Sequence, residues 1–364
     1  MVVHQTRTVN SVKDLFQTLY GLNMNTSKLF TTLKRHFCNV TLQELAVQTF
    51  CDIQVNVPFK VNIKPLDVHE HHNCDRLKIE LLGIKSGRDT LKHIQDGNNI
   101  KIFSSTEDYD ENITCNIQAP VKANLNVQAH GDVCAGAFGG SKLVLQSRKG
   151  NIFVNKYQGD LFSVTTQNGD IVLKGAVVAT DIKVVADIGN IKAKRLQGLD
   201  ALVKTNEGNI TVESSYCDKG VFEGRNGDFN LHNIHKNSDV CIKNGNLNLT
   251  GLDGHINAQL ENVNADIQIS RILENSKITA NNGDIKLQLS DHCQDNTMFE
   301  IKTDNHVLDP SIRLIPSKSD QTLFLMPHAE QYKHLLVESK NGKVSIHSAS
   351  WANMLKLKFN QNKD

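Results

Sequence analysis

The sequence predicts an all-β chain built around a parallel β-solenoid with coils of about nineteen residues, running from near Gly131 to near Leu289. Three observations predict it. Glycines recur at 131, 150, 169, 189, 208, 227, 245 and 283, in contexts such as His-Gly-Asp, Ile-Gly-Asn and Asn-Gly-Asp. The residue two after each glycine is apolar: Val133, Ile152, Ile171, Ile191, Ile210, Phe229, Leu247 and Ile285. Composition agrees, because only six Pro and 5% aromatics accompany abundant Asn, Gly, Val and Ile, as short strands joined by tight turns require.

The coil follows from these rows. Successive glycine gaps are 19, 19, 20, 19, 19 and 18 residues, and the last, 38, spans two periods, with Ala265 placed where one coil has lost its glycine. Apolar residues recur four after the glycine, at Ala135, Val154, Leu173, Ala193, Val212, Leu231, Leu249 and Leu287, so a period-two strand leaves each turn with one face inward. Glycine reaches positive φ without a Cβ clash, and the adjoining Asn or Asp bonds nearby backbone. Asn-Gly is also a hairpin signal, but hairpins would reverse alternate strands, whereas here each coil repeats turn, strand and exit in the same order. Stacked coils set equivalent positions about 4.8 Å apart. A third apolar row at Tyr157, Leu196, Ile234, Leu252 and Ile272, and a second strand at Ile182 and Val184 or Val240 and Ile242, complete the coil.

Four segments are expected: a leader at 1–45, a leading β segment at 46–118, the solenoid at 119–350 and a closing cap at 351–364. Asp52 to Ile63, Leu77 to Leu82 and Asn99 to Phe103 alternate like strands and are read as capping one solenoid end, which would otherwise expose unpaired backbone groups. The far end loses its regularity between His292 and Tyr332, and a coil-like unit then returns at Leu335 to Ile346, followed by Trp351, Leu355, Leu357 and Phe359. In the first 43 residues Arg7, Lys13, Lys28, Lys34 and Arg35 stand against Asp14 alone, with Leu15, Phe16, Leu19, Leu29, Phe30 and Leu33 at helical spacing. That is the pattern of a mitochondrial presequence, the plainer alternative being a mobile amphipathic leader. The compartment expected is intracellular, and mitochondrial by that leader.

With 40 Lys and Arg against 39 Asp and Glu, the chain lacks the basic excess that phosphate-backbone binding leaves, so nucleic acid is not the expected partner. No stretch approaches the roughly twenty apolar residues of a membrane span. Eight cysteines without a Cys-x-x-Cys pair read as free buried thiols. The Gly136-x-x-Gly139-Gly140 stretch lacks the Lys-Ser/Thr and following helix of a phosphate loop.

Ile63-Lys64-Pro65-Leu66-Asp67, Ala119-Pro120-Val121-Lys122 before the first coil, the coils themselves, and Ser350-Trp351 with Leu355-Lys356-Leu357 together carry a resemblance from about residue 50 onward. The chain resembles bacterial adhesin-type β-solenoid domains and, more closely, the eukaryotic family with sequence similarity 185. The resemblance implies an adhesin-like domain, a mitochondrial or otherwise intracellular setting, and no catalytic residues to carry over.

Two clusters could hold a cation. His69, His71, His72 and Cys74 offer borderline and soft ligands in one short loop, without HExxH spacing or a partner pair; a solvated loop is the plainer reading. Asp160, Asp181, Asp200, Asp218 and Asp239 fall ten to twelve residues after successive glycines and would line one edge if stacked, which calcium could offset; turn chemistry is the plainer reading. No cofactor is expected. The function expected is a non-enzymatic, adhesin-like binding or scaffold protein with a protein partner. The alternatives are a carbohydrate-active β-helix enzyme, for which two carboxylates would suffice, and a cation-binding solenoid.

Overall fold

A computed structural model of the chain describes residues 6–9, 39–84, 91–105, 109–310, 312, 314–316, 322–327 and 329–349. Apart from 6–9 and 39–45, the expected leader lies outside the described residues, as does the whole of the expected cap at 351–364. The fold is almost entirely β and is a parallel β-solenoid, in two compact units, 1–161 and 162–364.

In the first unit, Asp52–Val57 and Lys60–Pro65 bury Ile53, Val55, Val57, Val61 and Ile63, with exposed or half-buried residues between, the alternation expected of a coil. These strands stack in parallel register on Asn124–Ala129 and Val133–Phe138. Their opposite edges pair in parallel with Asn99–Ser104 and Thr114–Ala119. The stack therefore runs 99–119, 52–65, 124–138 and 142–157, which is not chain order. The leading segment thus supplies coils of its own. Capping falls to antiparallel strands: Arg76–Ile84 on Thr114–Ala119, Asn39–Ala46 on Arg76–Ile84, and Leu91–Asp96 on Asn99–Ser104. Gly136 and Gly140 are packing sites, since a Cβ on Gly136 would meet Cδ of Pro65 at 2.6 Å and one on Gly140 the Ala123 carbonyl oxygen at 2.3 Å.

The second unit carries the most regular coils. Ile171–Ile188 and Ile191–Glu207 pair in parallel along most of their length. Ile171, Ile191, Ile210, Phe229 and Leu247 form one buried column, and Leu173, Ala193, Val212, Leu231 and Leu249 a second. On the return strand Val184, Val203, Phe222 and Val240 stack likewise. The glycine turn is dictated by close approach: Gly227 has φ +151°, and a Cβ there would lie 1.8 Å from the carbonyl oxygen of Gly208 one coil away.

One coil departs from the sequence reading. The residue at the glycine position is Val263, not Ala265: Gly283 faces the carbonyl oxygen of Val263 as Gly245 faces that of Gly227. Ala265 pairs with Ile285 and is the first inward residue. Both Val263 and Ala265 are buried, so the valine turns into the core beside the small alanine. This coil therefore keeps its length without a glycine.

The far end is interleaved as well. Ser276–Asn282 and Ile285–Leu289 pair not with the next strands in the chain but with Lys333–Asn341 and Lys343–Ser348. Thr297–Lys302 and Asn305–Leu308 then pair with the outer edges of those same two strands. Residues 333–348 thus sit between two coils that precede them in sequence. A short helix, Asp291–Asn296, makes the step, its N terminus capped by the Ser290 hydroxyl accepting from the Cys293 amide. Antiparallel Thr322–Leu325 covers the edge of Thr297–Lys302.

Candidate functional site

The turns of the second unit carry two polar columns. Immediately after the glycine position, a side-chain oxygen accepts the backbone amide of the next coil: Asp170 from Asn190, Asn190 from Asn209, Asn209 from Asp228, Asp228 from Asn246, Asn264 from Asp284, and Asp284 from Lys343, at 2.7–3.0 Å. Asn and Asp serve equally there because only an acceptor is needed. Immediately before the glycine position, side chains bond one another. Asn226 donates to Glu207 at 2.8 Å, Asn244 to Asn226 at 2.7 Å, Asn262 to Asn244 at 2.8 Å, Asn282 to Asn262 at 2.7 Å and Asn341 to Asn282 at 3.1 Å. An ionised Glu207 can only accept, so it orients every amide in the ladder with its NH₂ toward that end.

The sequence-selected residues are placed as follows. In the His-rich loop the Asp67 carboxylate accepts the His69 amide at 2.8 Å, and the His71 amide reaches the Asp67 carbonyl at 2.9 Å. Lys78 Nζ lies 2.7 Å from His71 Nε2. An ammonium only donates, so that nitrogen's lone pair is engaged. His69 and His72 are exposed, while Cys74 is buried at φ +46°. Among the described residues, no group of three or more His, Cys, Asp or Glu is arranged to hold a metal ion.

The aspartates do not form the expected edge. Asp181 pairs with Asp200, but Asp200 pairs with Lys219 rather than Asp218, and Asp239 pairs with Val221. Asp218 forms an ion pair with Lys236, and Asp239 accepts from Asn257 at 3.3 Å. Asp160 belongs to the first unit, where its amide donates to Ser141. Coil lengths of 18 to 20 residues, adjusted at the corners, shift the return strands against one another. Counting from the glycine consequently loses register there.

A constellation missed in the sequence lies at the second turn. The outward residues following Leu196, Ser215, Ile234 and Leu252 are Gln197, Tyr216, His235 and Asp253. The Tyr216 and His235 rings stack with centroids 4.6 Å apart, and the Arg195 guanidinium lies 5.1 Å from the Tyr216 ring centre. Arg195 also donates to Gln197 at 2.9 Å. At the other end His235 Nδ1 lies 3.6 Å from Asp253, and Arg271 grips the Asp253 carboxylate through two bonds of 2.8 and 2.7 Å. That grip raises the Arg271 pKa further, through the hydrogen bond first and the charge second. The row crosses four coil intervals, about 19 Å at sheet spacing, with Leu199 and Leu273 exposed beside it. Its members are scattered in sequence, and only coil alignment at the second turn brings them together.

Open grooves among the described residues include two lined mostly by polar side chains. One of about 500 Å³ in the first unit is lined by residues including Asp52, Ile94, Lys101, Asn126 and Lys142. The other, about 440 Å³ in the second unit, is lined by residues including Asn246, Asn264, Asp266 and Lys286. The described cysteines are free, with Cys51, Cys74, Cys115, Cys217 and Cys293 buried. Burial pushes the Cys115 and Cys293 thiols up to about 12 and Cys51 to about 11, which suppresses the nucleophilic thiolate.

A family model described as Toastrack DUF4097 matches residues 93–347, which hold the coils of the second unit and, in the first, 99–119, 124–138 and 142–157 but not 52–65. This chain belongs to the Toastrack DUF4097 family. Solved structures similar to this Toastrack chain include a "putative adhesin" of Parabacteroides distasonis, 12% identical, covering 85% of this chain and 97% of that one with a TM-score of 0.37. A "putative adhesin" of Parabacteroides merdae is 8% identical, with 85% and 96% covered and a TM-score of 0.34. One from Bacteroides fragilis is 10% identical, with 85% and 97% covered and a TM-score of 0.26. No helix among the described residues of the Toastrack chain is long and apolar enough to cross a membrane.

Proposed function

We propose that this protein is a non-enzymatic, adhesin-like binding protein that presents the outer face of its second unit to a protein partner. The observation that carries this reading is the Arg195 to Arg271 row. It is a charged and aromatic strip held by contacts among its own members, so little side-chain entropy remains to be lost on docking. Arginine and tyrosine are also the residues enriched where proteins dock. Arg195 and His235 come from the coils on either side of Tyr216 and cover its ring, which favours a protein surface over a stacked sugar. The basic leader and the likeness to the eukaryotic family with sequence similarity 185 support an intracellular, mitochondrial setting.

Proximity labelling in cells tests the reading, comparing the full chain, a chain lacking residues 1–43, and an Arg195→Glu/Arg271→Glu variant. The variant is expected to keep its melting temperature within a few degrees and lose a defined set of neighbours. An unchanged neighbour set would sink the proposal for this face, and unchanged localisation without 1–43 would sink the leader's role.

A further inference from the structure

The sequence contains five Asn-Gly pairs, at Asn168, Asn226, Asn244, Asn282 and Asn341, each at a turn of the second unit. Asn-Gly is the pair most open to intramolecular attack, because glycine offers no side chain to hinder its backbone nitrogen. Four of the five amides belong to the ladder: Asn226, Asn244 and Asn282 each donate to one neighbour and accept from another, and Asn341 donates at its end. Asn168 occupies the equivalent place in its own coil. The Gly169 amide bonds the Ile188 carbonyl, just as Gly189 bonds Glu207 and Gly208 bonds Asn226. The next rung above Asn168 is therefore Ile188, whose side chain is 53% exposed and offers no polar atom. Asn168 is exposed, and its amide makes no hydrogen bond among the described residues.

We propose that Asn168 is a site of spontaneous deamidation through a succinimide, and that the amide ladder shields the other four Asn-Gly pairs. The Gly169 backbone nitrogen attacks the Asn168 side-chain carbonyl carbon and gives up its proton to solvent. The C–N bond to the side-chain nitrogen breaks, and ammonia leaves. Water then opens the five-membered ring at either carbonyl, leaving aspartate or isoaspartate; the net change is one water consumed and one ammonia released. Attack requires the amide to turn over its own backbone. In the ladder that turn breaks one or two side-chain bonds, and at Asn168 it breaks none. The glycine N–H is a sheet donor at Asn168 and at Asn226 alike, so it does not distinguish them.

Peptide mapping by mass spectrometry of the full chain, aged folded in mildly alkaline buffer, reads the rates. Asn168 is expected to convert roughly ten-fold faster than Asn226, Asn244 and Asn282, the factor that ~1.4 kcal/mol of added barrier produces, with Asn341 between. In urea all five should react alike, and a spread persisting there would overturn the assignment to the fold. An Ile188→Asn variant, which supplies the missing rung between Asn168 and Glu207, should slow Asn168, whereas Asn226→Ala should speed Asn244. Equal rates at Asn168 and Asn244 in the folded chain, or no effect of Ile188→Asn, would overturn the proposal.

Discussion

Three glycines of the second unit separate the two reasons a coil turn excludes a side chain. Gly251 has φ +74° with its nearest backbone atom 3.6 Å from a built Cβ, so alanine there meets mainly torsional strain, about 1–2 kcal/mol. Gly198 does not have a positive φ, but its Cβ would lie 1.8 Å from the Ala179 carbonyl oxygen, so alanine must push neighbouring coils apart, about 1–3 kcal/mol. Gly227 combines both, with φ +151° and 1.8 Å to the Gly208 carbonyl oxygen. Strain of about 1–3 kcal/mol added to a similar clash gives roughly 2–6 kcal/mol for Gly227→Ala. That is a large part of the 5–15 kcal/mol on which a domain stands. Urea unfolding of the three alanine variants, compared by midpoint at constant m-value, measures the order Gly251 below Gly227 with Gly198 between or equal to Gly251. If Gly227→Ala unfolds no more easily than Gly251→Ala, the coils do not approach at the carbonyl and the stacking register is wrong.

Four further outcomes follow from the same geometry. Asn244→Leu removes two ladder bonds and should cost roughly 1–3 kcal/mol in a urea melt; Asn244→Asp should cost as much at neutral pH and recover when the new carboxyl is protonated and can donate. Truncation after residue 332 removes the fully buried Leu335, Val337, Val344 and Ile346, about 6–12 kcal/mol of apolar burial; protease cleavage within 297–308 should then appear, and its absence would show those strands do not depend on 333–348. Burial lowers the His232 pKa below its ordinary value, partly opposed by Glu213. The unfolded chain therefore takes up a proton that the native one refuses, so stability should fall as pH drops below about 6.5 and level off beneath the depressed value. A His232→Gln variant that keeps the same pH slope would contradict this. Alkylation followed by peptide mapping should modify exposed Cys241 in the native chain and Cys115, Cys217 and Cys293 only after unfolding.

The sequence by itself determined the coil. Gly, then an acceptor, then two inward apolar residues is a local code, because each term answers a local demand: room beside a neighbouring carbonyl, a partner for a turn amide, and burial at period two. The inward rows at 171, 191, 210, 229 and 247 and their partners therefore stand where the periodicity places them. The exception at 263 escaped because Val and Ala are both apolar and two residues apart, so either could satisfy the spacing; only the contact of Gly283 with the Val263 carbonyl distinguishes them. At the second turn, coils of unequal length let backbone pairing override residue counting. That separated Asp218 and Asp239 from the Asp181–Asp200 pair and assembled the Arg195 to Arg271 row instead. Tertiary structure alone decided the order of the end coils, where 52–65 lies between 99–119 and 124–138, and 333–348 between 276–289 and 297–308. A β edge accepts any strand of the right alternation, and nothing in a strand's own residues states which edge is free when it arrives.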